Sequence, residues 1–151
     1  MATTTQNTSR TAHLLALMEH GDEAFNSRDL VAVDAVHHPE MVAYITGLAE
    51  PVYGREAHSA AMQQLLRTFP DMHVDLPYPI QFGSGDWITV ITRATGTFTG
   101  EMTLPDGTVI APTGEAFDVE LGQTSKWEGD RLIAISAFWD SAQQARQIGL
   151  A

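Results

Sequence analysis

The spacing of apolar residues changes near Pro70, and this change constrains the fold more than any other feature of the chain. Before Pro70, apolar side chains recur every three or four residues, which is typical of helices that pack one face on a core. After Pro70, apolar and polar residues tend to alternate, which is typical of half-buried strands. Helices followed by strands indicate an α+β fold, with helices on one face of a curved antiparallel sheet and a pocket between the two layers.

The first part of the chain is predicted to form three helices. The first spans residues 10–26 and is ended by the sequence NSRD. Ser27 or Asp29 can cap the second helix, because short polar side chains accept hydrogen bonds from the free amides at a helix start. This second helix ends before Pro39, and the third spans residues 55–69.

The second part of the chain is predicted to be mostly strands. The strand candidates are residues 40–46, which lie between the second and third helices, and residues 74–82, 87–98, 115–127 and 131–139. Pro77 and Pro79 favour an edge or bulged strand for residues 74–82, because a proline has no amide hydrogen to donate. The dipeptide Asp106-Gly107 favours a hairpin turn within the segment EMTLPDGTVI. We expect this hairpin to be able to lie over the rim of the pocket.

Strand parity indicates which side chains of the 115–127 strand point inward. Its more apolar face carries Phe117, Val119, Leu121, Gln123 and Ser125. This face is predicted to line the interior, so that Asp118 and Glu120 point to solvent. The last strand is apolar on both faces and is therefore predicted to lie in the centre of the sheet.

Composition limits the classes of function. A chain of 151 residues with 44% hydrophobic residues can form one domain with a substantial core, predicted here for residues 11–151 after a flexible N-terminus at 1–10. The absence of cysteine excludes disulfides and a cysteine nucleophile. A net charge of −11 with only eight Lys and Arg disfavours nucleic acid and anionic membranes as partners. With no apolar leader and no membrane-length apolar run, we expect a cytoplasmic protein.

Motifs for metals and nucleotide cofactors are missing from the sequence. The six histidines do not show the HExxH spacing, and no cysteine accompanies them. No glycine-rich loop stands between a strand and a helix, and the GxSxG elbow of hydrolases is absent. The sequence therefore predicts no metal and no cofactor.

Asp140 follows the last strand and precedes the polar amphipathic segment SAQQARQI. It can be a carboxylate at the mouth of the pocket, or the residue that caps the last helix. Gln143 at the third helical position favours the cap, because this spacing is typical of a capping box.

A series of short segments along the chain resembles the SnoaL-like polyketide cyclase family, which has the cone fold of nuclear-transport-factor-2-like proteins. In order, these segments are EAFNSRDL, HPE, YGREA, TFPDM, TGTFTG, APTG, KWEGDRLIA, FWD and ARQIGL. The resemblance covers roughly residues 12–150. It implies a cone-shaped α+β barrel with three N-terminal helices, a C-terminal helix, an enclosed apolar pocket, and assembly as a homodimer.

The resemblance also implies a reaction. Founding members of the family take part in antibiotic biosynthesis and close the last ring of anthracycline-type polyketides by an intramolecular aldol condensation, without a metal or cofactor. For this chain it implies a cyclase of the isomerase or lyase type, acting by cofactor-independent cyclisation or isomerisation. The ligand would be a small apolar or polycyclic carbonyl compound.

The chain departs from the family at the positions that carry the chemistry. Aligned through KWEGDRLIAISAFWD, the family's catalytic Asp corresponds to Ala137 and its His to Gln123. Ala137 cannot transfer a proton, and Gln123 can donate a hydrogen bond to an oxyanion but cannot titrate. The candidate proton carriers are then Asp140, His58 and Tyr44.

The predicted substrate-binding residues come from the resemblance and from strand parity. They are Phe25, Ala61, Thr92, Phe98, Leu121, Ala137 and Trp139. Ordinary core packing is an equally good interpretation of Phe25, Ala61 and Phe98.

Three alternative functions stay open. The same fold could bind a small apolar ligand without catalysis, which the loss of both acid/base positions favours. It could serve as a dimeric interaction module that uses the outer face of the sheet. An epoxide-hydrolase-like reaction is the third, although Thr95 stands where that pattern requires an Asp after Arg93.

Overall fold

A computed structural model of the protein describes residues 4–151, and it contains four helices within this range. They are α1 (Thr4–Asn26), α2 (Leu30–Ala35), α3 (Arg55–Thr68) and α4 (Ser141–Gln147). The predicted helices lie at the expected places, but α1 begins at Thr4 and not at residue 10. Part of the segment predicted as a flexible N-terminus is therefore helical, and residues 1–3 lie outside the described range. No helix of residues 4–151 has both the length and the apolar character needed to span a membrane.

Nine strands are present in the described residues. They are β1 (His37–Ile45), β2 (Val52–Tyr53), β3 (His73–Val74), β4 (Ile80–Ser84), β5 (Trp87–Thr97), β6 (Met102–Thr103), β7 (Val109–Ile110), β8 (Ala116–Glu128) and β9 (Arg131–Phe138). Seven of them form one sheet in the order β2-β1-β9-β8-β5-β3, and β4 also pairs with β5. Strands β6 and β7 form a separate hairpin.

The sheet is antiparallel, as predicted, except where β1 and β9 run parallel with Tyr44 opposite Ser136. This pair puts β9 inside the sheet, which agrees with its two apolar faces. The order ends at β2 on one side and at β3 on the other, so the cone is a curved open sheet and not a closed barrel. The α+β prediction is confirmed.

Strand β8 positions the inner wall of the domain. Its odd-numbered residues from Phe117 to Ser125 are buried, while Asp118 and Glu120 are exposed, as strand parity predicts. On the outer face, Arg93 of β5 donates to Asp118 across a distance of 2.7 Å. Full burial of a large apolar side chain on this inner wall contributes about 1.5–3 kcal/mol to the free energy of folding.

The segment 74–82, predicted as an edge or bulged strand, is interrupted in the structure. Strand β3 ends at Val74 and β4 begins at Ile80. Pro77 and Pro79 lie between them, and a proline has no amide hydrogen to donate to a neighbouring strand. The interruption brings Tyr78 out of the ladder and into the core, where its side chain is 3% exposed.

The β6–β7 hairpin is held against the end of α3 at Gly100. The Gly100 amide donates to the Thr68 carbonyl oxygen at 3.0 Å, and the Thr68 hydroxyl donates to the Glu101 carbonyl oxygen at 3.0 Å. A Cβ atom on residue 100 would overlap the carbonyl oxygen of Arg67, which is backbone and cannot move away alone. The close approach of hairpin and helix therefore requires glycine.

We expect Gly100→Ala to destabilise the protein by about 3 kcal/mol, the upper end of typical overpacking costs, because the clash is with backbone. Chemical denaturation at neutral pH measures the loss. Thr99→Ala, at the exposed neighbouring position, is the control and should change the free energy of unfolding by less than about 0.5 kcal/mol. Equal stability of the two variants would contradict the proposed contact.

Candidate active site

The helices and the inner face of the sheet enclose a cavity of about 350 Å³. This volume lies in the range of small-molecule sites. Its wall is mainly apolar, with residues that include Met18, Phe25, Met62, Leu65, Met72, Val119, Leu121, Ala137 and Trp139. The polar residues of the wall are Asp22, His37, His58, Gln123 and Gln144.

Asp22 is the carboxylate that reaches this cavity. It lies on α1 on the same face as Met18, Gly21 and Phe25, which also line the cavity. The spacing of these four residues is that of one helical face, so packing of α1 on the sheet carries Asp22 inward with its apolar neighbours.

One oxygen of Asp22 is held by two donors. The hydroxyl of Tyr78 donates to Oδ2 at 2.5 Å, and Nε2 of Gln123 donates to the same atom at 3.0 Å. Within residues 4–151, no group donates to the other oxygen, Oδ1. The carboxylate is therefore fixed in orientation, and Oδ1 keeps its lone pairs for a molecule in the cavity.

The surroundings place the pKa of Asp22 close to neutral. Burial raises the pKa to about 6, against the hydrogen bonds from Tyr78 and Gln123, which lower it. Burial also raises the pKa of Tyr78, so its phenol stays protonated and keeps donating at neutral pH. A carboxylate with a pKa near the working pH can both take up and return a proton, which is what general acid–base catalysis needs.

His37 and His58 form a second polar group in the cavity wall. Their rings meet edge to face with centroids 4.8 Å apart. Burial lowers the pKa of both, to about 3 for His37, and the nearby carboxylate of Asp34 opposes the shift of His58. Both imidazoles are therefore neutral at physiological pH, so His58 is poorly suited to hold a proton as imidazolium.

Six of the residues predicted for the site line the cavity. They are Phe25, His58, Leu121, Gln123, Ala137 and Trp139. Gln123 and Ala137 face each other across the β8–β9 pair. The position opposite Gln123 therefore offers no titratable group, and the only proton carrier beside Gln123 among the described residues is Asp22.

Three residues predicted to bind substrate lie outside the cavity wall. Ala61 is on α3, but the cavity face of that helix carries His58, Met62 and Leu65, so the prediction was off by one position on the helix. Thr92 is buried and donates to the carbonyl oxygen of Asp75 at 2.7 Å. Phe98 is fully buried against Phe69, with ring centroids 5.8 Å apart. Core packing thus accounts for Phe98, whereas Ala61 is only partly buried on α3 and Phe25 lines the cavity.

Two of the candidate proton carriers are also outside the cavity. Tyr44 is 51% exposed on the other side of the sheet, in a shallow outer groove with Leu48 and Phe138. Asp140 is the N-cap of α4, where its Oδ1 accepts from the Gln143 amide at 2.9 Å. The helix-cap interpretation of Asp140 is confirmed, and neither residue lines the cavity that contains Asp22.

Arg93, considered for an epoxide-hydrolase-like arrangement, pairs with Asp118 on the outer face of the sheet. It does not line the cavity. The hairpin, by contrast, contributes Met102 to the cavity wall. Among residues 4–151, no three His, Asp or Glu side chains are grouped so as to hold a metal ion.

Asp22 is not among the residues predicted from the sequence. The signal was nevertheless present. The face that identifies the first helix includes Met18, Gly21 and Phe25, and Asp22 is the one charged residue within that apolar face. A charged residue on the buried side of a helix is costly unless it is paired or functional.

The fold and the cavity define a class, namely cone-shaped α+β domains that enclose an apolar cavity. Within this class, the chain belongs to the SnoaL-like polyketide cyclase family, whose model matches residues 16–148. No curated protein has a significantly similar sequence.

Solved structures share the fold at low sequence identity. AclR of Streptomyces galilaeus, provisionally assigned as a hydroxylase, is 19% identical with a TM-score of 0.77 over 93% of this chain and 98% of its own. IdmH of Streptomyces antibioticus, provisionally assigned as a polyketide cyclase, is 25% identical with a TM-score of 0.73 over 89% and 96%. TsrD of Streptomyces laurentii is 24% identical with a TM-score of 0.74 over 93% and 97%.

We expect Asp22→Asn to stabilise the protein at pH 8 by roughly 2–3 kcal/mol relative to the unsubstituted chain. The folded-state pKa of Asp22 is about 6, above the ordinary 3.8, so the folded state holds the proton more tightly than the unfolded chain. The contribution of this proton to the free energy of unfolding is fully present below about pH 4 and is lost as the pH rises through 6. Urea denaturation of both proteins at pH 4 and pH 8 measures the difference.

The pH comparison includes its own control. Near pH 4 both Asp22 and its Asn replacement are neutral, so the two proteins should be similarly stable there. A stability difference that does not grow between pH 4 and pH 8 would mean that the carboxylate is not buried as described.

Proposed function

We propose that this protein is a cyclase-type enzyme that closes a ring in, or isomerises, a polyketide-like carbonyl substrate by proton transfer through Asp22, without a cofactor. The observation that carries this proposal is the oriented carboxylate in an apolar cavity, with Oδ2 bound by Tyr78 and Gln123 and Oδ1 unbound. Membership of the SnoaL-like polyketide cyclase family supports the substrate class.

In the proposed aldol closure, Oδ1 of Asp22 takes a proton from the carbon next to a substrate carbonyl. The C–H bond breaks, and its electron pair forms the enolate. The enolate carbon then attacks a second carbonyl of the same molecule, so that a C–C bond forms and the second carbonyl oxygen becomes an alkoxide. The alkoxide takes the proton back from Asp22, and no proton or electron is left over.

Gln123 has a second role in this scheme. One N–H of its side-chain amide holds Asp22, and the amide has another N–H that can donate to the enolate oxygen. Tyr78 acts as a positioning residue, because its hydroxyl is used by Asp22. The apolar wall holds the two ends of the substrate together, which replaces an unfavourable encounter by a step within one bound molecule.

Proton abstraction can be tested without knowing the natural substrate. We expect the protein to open the ring of 5-nitrobenzisoxazole, a reaction that begins when a base removes a proton from carbon. Asp22→Asn should lower the rate about a hundredfold or more, the usual contribution of a positioned base. Asp140→Asn is the matched control, since it alters a carboxylate outside the cavity, and should leave the rate unchanged.

The pH profile separates the base from its positioning residues. The rate should rise with pH through a midpoint near 6, where Asp22 loses its proton. Gln123→Leu and Tyr78→Phe each remove a hydrogen bond that lowers the pKa of Asp22, so each should move this midpoint upward. A rate that survives Asp22→Asn, or a midpoint that moves only with Asp140→Asn, would overturn the role given to Asp22.

The second candidate function is storage or transport of an apolar ligand without turnover. It is favoured by Ala137, which places a methyl group opposite Gln123 in the cavity wall. Under this function the cavity binds 5-nitrobenzisoxazole, but the ring of the bound compound opens no faster than it does in buffer of the same pH.

We also propose that the protein assembles as a homodimer through the outer face of its sheet. Along one row of this face, Ile80, Ile91, Gly122 and Phe138 stand opposite one another on four neighbouring strands. Exposed aromatic side chains, Phe82 and Tyr44 among them, extend the row into a patch of the kind that marks protein contacts.

Sedimentation velocity tests this assembly. We expect a dimer for the unsubstituted chain and a monomer for Phe138→Glu, because a buried charge at a contact costs several kcal/mol when it has no partner. The control is Val31→Glu, since Val31 is 84% exposed on α2, away from the sheet. A monomer before substitution would contradict the proposal.

A further inference from the structure

The pair formed by His37 and His58 is a polar group of the cavity that the proposed chemistry does not use. His37 lies at the start of β1, and His58 lies one turn into α3. Both line the same cavity as Asp22. His37 is only 7% exposed, so its ring has almost no contact with outside water.

Neither imidazole has a hydrogen-bond partner in residues 4–151. Nδ1 of His37, Nδ1 of His58 and Oδ1 of Asp34 are all buried without one. A buried polar atom without a partner costs about 1–3 kcal/mol, and such groups are uncommon unless a ligand, a water molecule or a function accounts for them. The two Nδ1 atoms expose almost no surface, so a molecule in the cavity meets the opposite, Nε2 edge of each ring.

We propose that the His37–His58 pair is a second binding subsite, which recognises a hydroxyl group of the ligand at a distance from the carbon that reacts at Asp22. This inference deepens the proposed function and rests on it for the identity of the cavity as the substrate site. The substrate is then a mainly apolar molecule with a carbonyl at the Asp22 end and an uncharged hydroxyl at the histidine end.

The preference for a hydroxyl follows from the chemistry of two neutral imidazoles. A neutral imidazole has one nitrogen that donates and one that accepts. Two such rings in edge-to-face contact, with centroids 4.8 Å apart, offer a donor and an acceptor close together. A hydroxyl can donate to one ring and accept from the other, whereas a carboxylate needs a cation in the wall, and no Lys or Arg of residues 4–151 lines this cavity.

Asp34 supports the arrangement from behind. Its charge acts on His58 strongly enough to oppose the lowering of the pKa of that residue, yet Asp34 is not part of the cavity wall. A carboxylate behind a histidine favours the tautomer whose N–H points toward it, which leaves the other nitrogen as an acceptor. The ligand hydroxyl would then donate to His58 and accept from His37.

Binding of naphthols tests the subsite separately from catalysis. The probes are 2-naphthol, which has one hydroxyl, and a set of naphthalenediols in which the second hydroxyl lies at different positions of the ring. Affinities are measured by titration calorimetry at pH 7.5. For at least one diol, we expect the second hydroxyl to raise the affinity about fivefold, the typical gain from one net hydrogen bond.

Two histidine variants then show whether the higher affinity for the diol depends on the His37–His58 pair. In His37→Leu and in His58→Leu, the ratio of the diol affinity to the 2-naphthol affinity should fall to about one. Leu65→Met, which changes an apolar residue of the same wall, should keep the fivefold ratio. A variant that is partly unfolded loses both affinities by the same factor, so the ratio stays informative.

The outcomes distinguish this inference from the function on which it rests. If 2-naphthol and the diols bind equally, or if the gain survives in both histidine variants, the subsite is overturned and the cavity remains a ligand site. If none of the probes binds, both the subsite and the proposed function are contradicted. Loss of the gain in both variants, with 2-naphthol still bound, supports the subsite.

Discussion

The two hydrogen bonds to Oδ2 of Asp22 join parts of the chain that are far apart in sequence. Asp22 belongs to α1, Tyr78 to the segment between β3 and β4, and Gln123 to the middle of β8. The helix layer, the edge of the sheet and its central strand are therefore fixed to one carboxylate oxygen. The carboxylate is thereby fixed in orientation, and its other oxygen, Oδ1, stays available to a molecule in the cavity.

This arrangement costs stability at neutral pH. Burial raises the pKa of Asp22 to about 6, so the charged carboxylate present at neutral pH is unfavourable in its buried surroundings. The unpaired atoms of His37, His58 and Asp34 add to the cost. Natural proteins commonly accept such local losses at functional sites and compensate for them by packing elsewhere. Here the compensation comes from the sheet and from the apolar residues between it and α1.

The fold could be predicted from the sequence because its signals are local and repeated. The inward face of β8, the position of α3 and the cap of α2 by Asp29 follow from period and from capping chemistry. The parallel pairing of β1 with β9 could not, because these strands are separated by most of the chain and nothing in either one specifies its neighbour. The interruption at Pro77 and Pro79 was visible as a weakness of the strand, but where Tyr78 would point was not.

The site was predictable only in part, for a similar reason. Strand parity placed Gln123 and Leu121 inside, and the family resemblance placed Phe25 and Trp139 at the cavity. The partners of Asp22 come together only in three dimensions, so no spacing in the sequence connects residues 22, 78 and 123. Tyr44 and Asp140 have side chains that can carry a proton, but residue type does not say on which side of a sheet a side chain lies.

The three tryptophans of the chain lie in three different environments, which gives the protein a built-in optical signal. Trp139 is part of the cavity wall and donates its indole hydrogen to Gln144, another residue of that wall. Trp127 is sealed in the core at 1% exposure, and Trp87 is 49% exposed with the Lys126 ammonium 5.9 Å from its ring centroid. A quencher in solution therefore reaches Trp87 first, and a molecule that enters the cavity is reported by Trp139 and Trp127, which both line it.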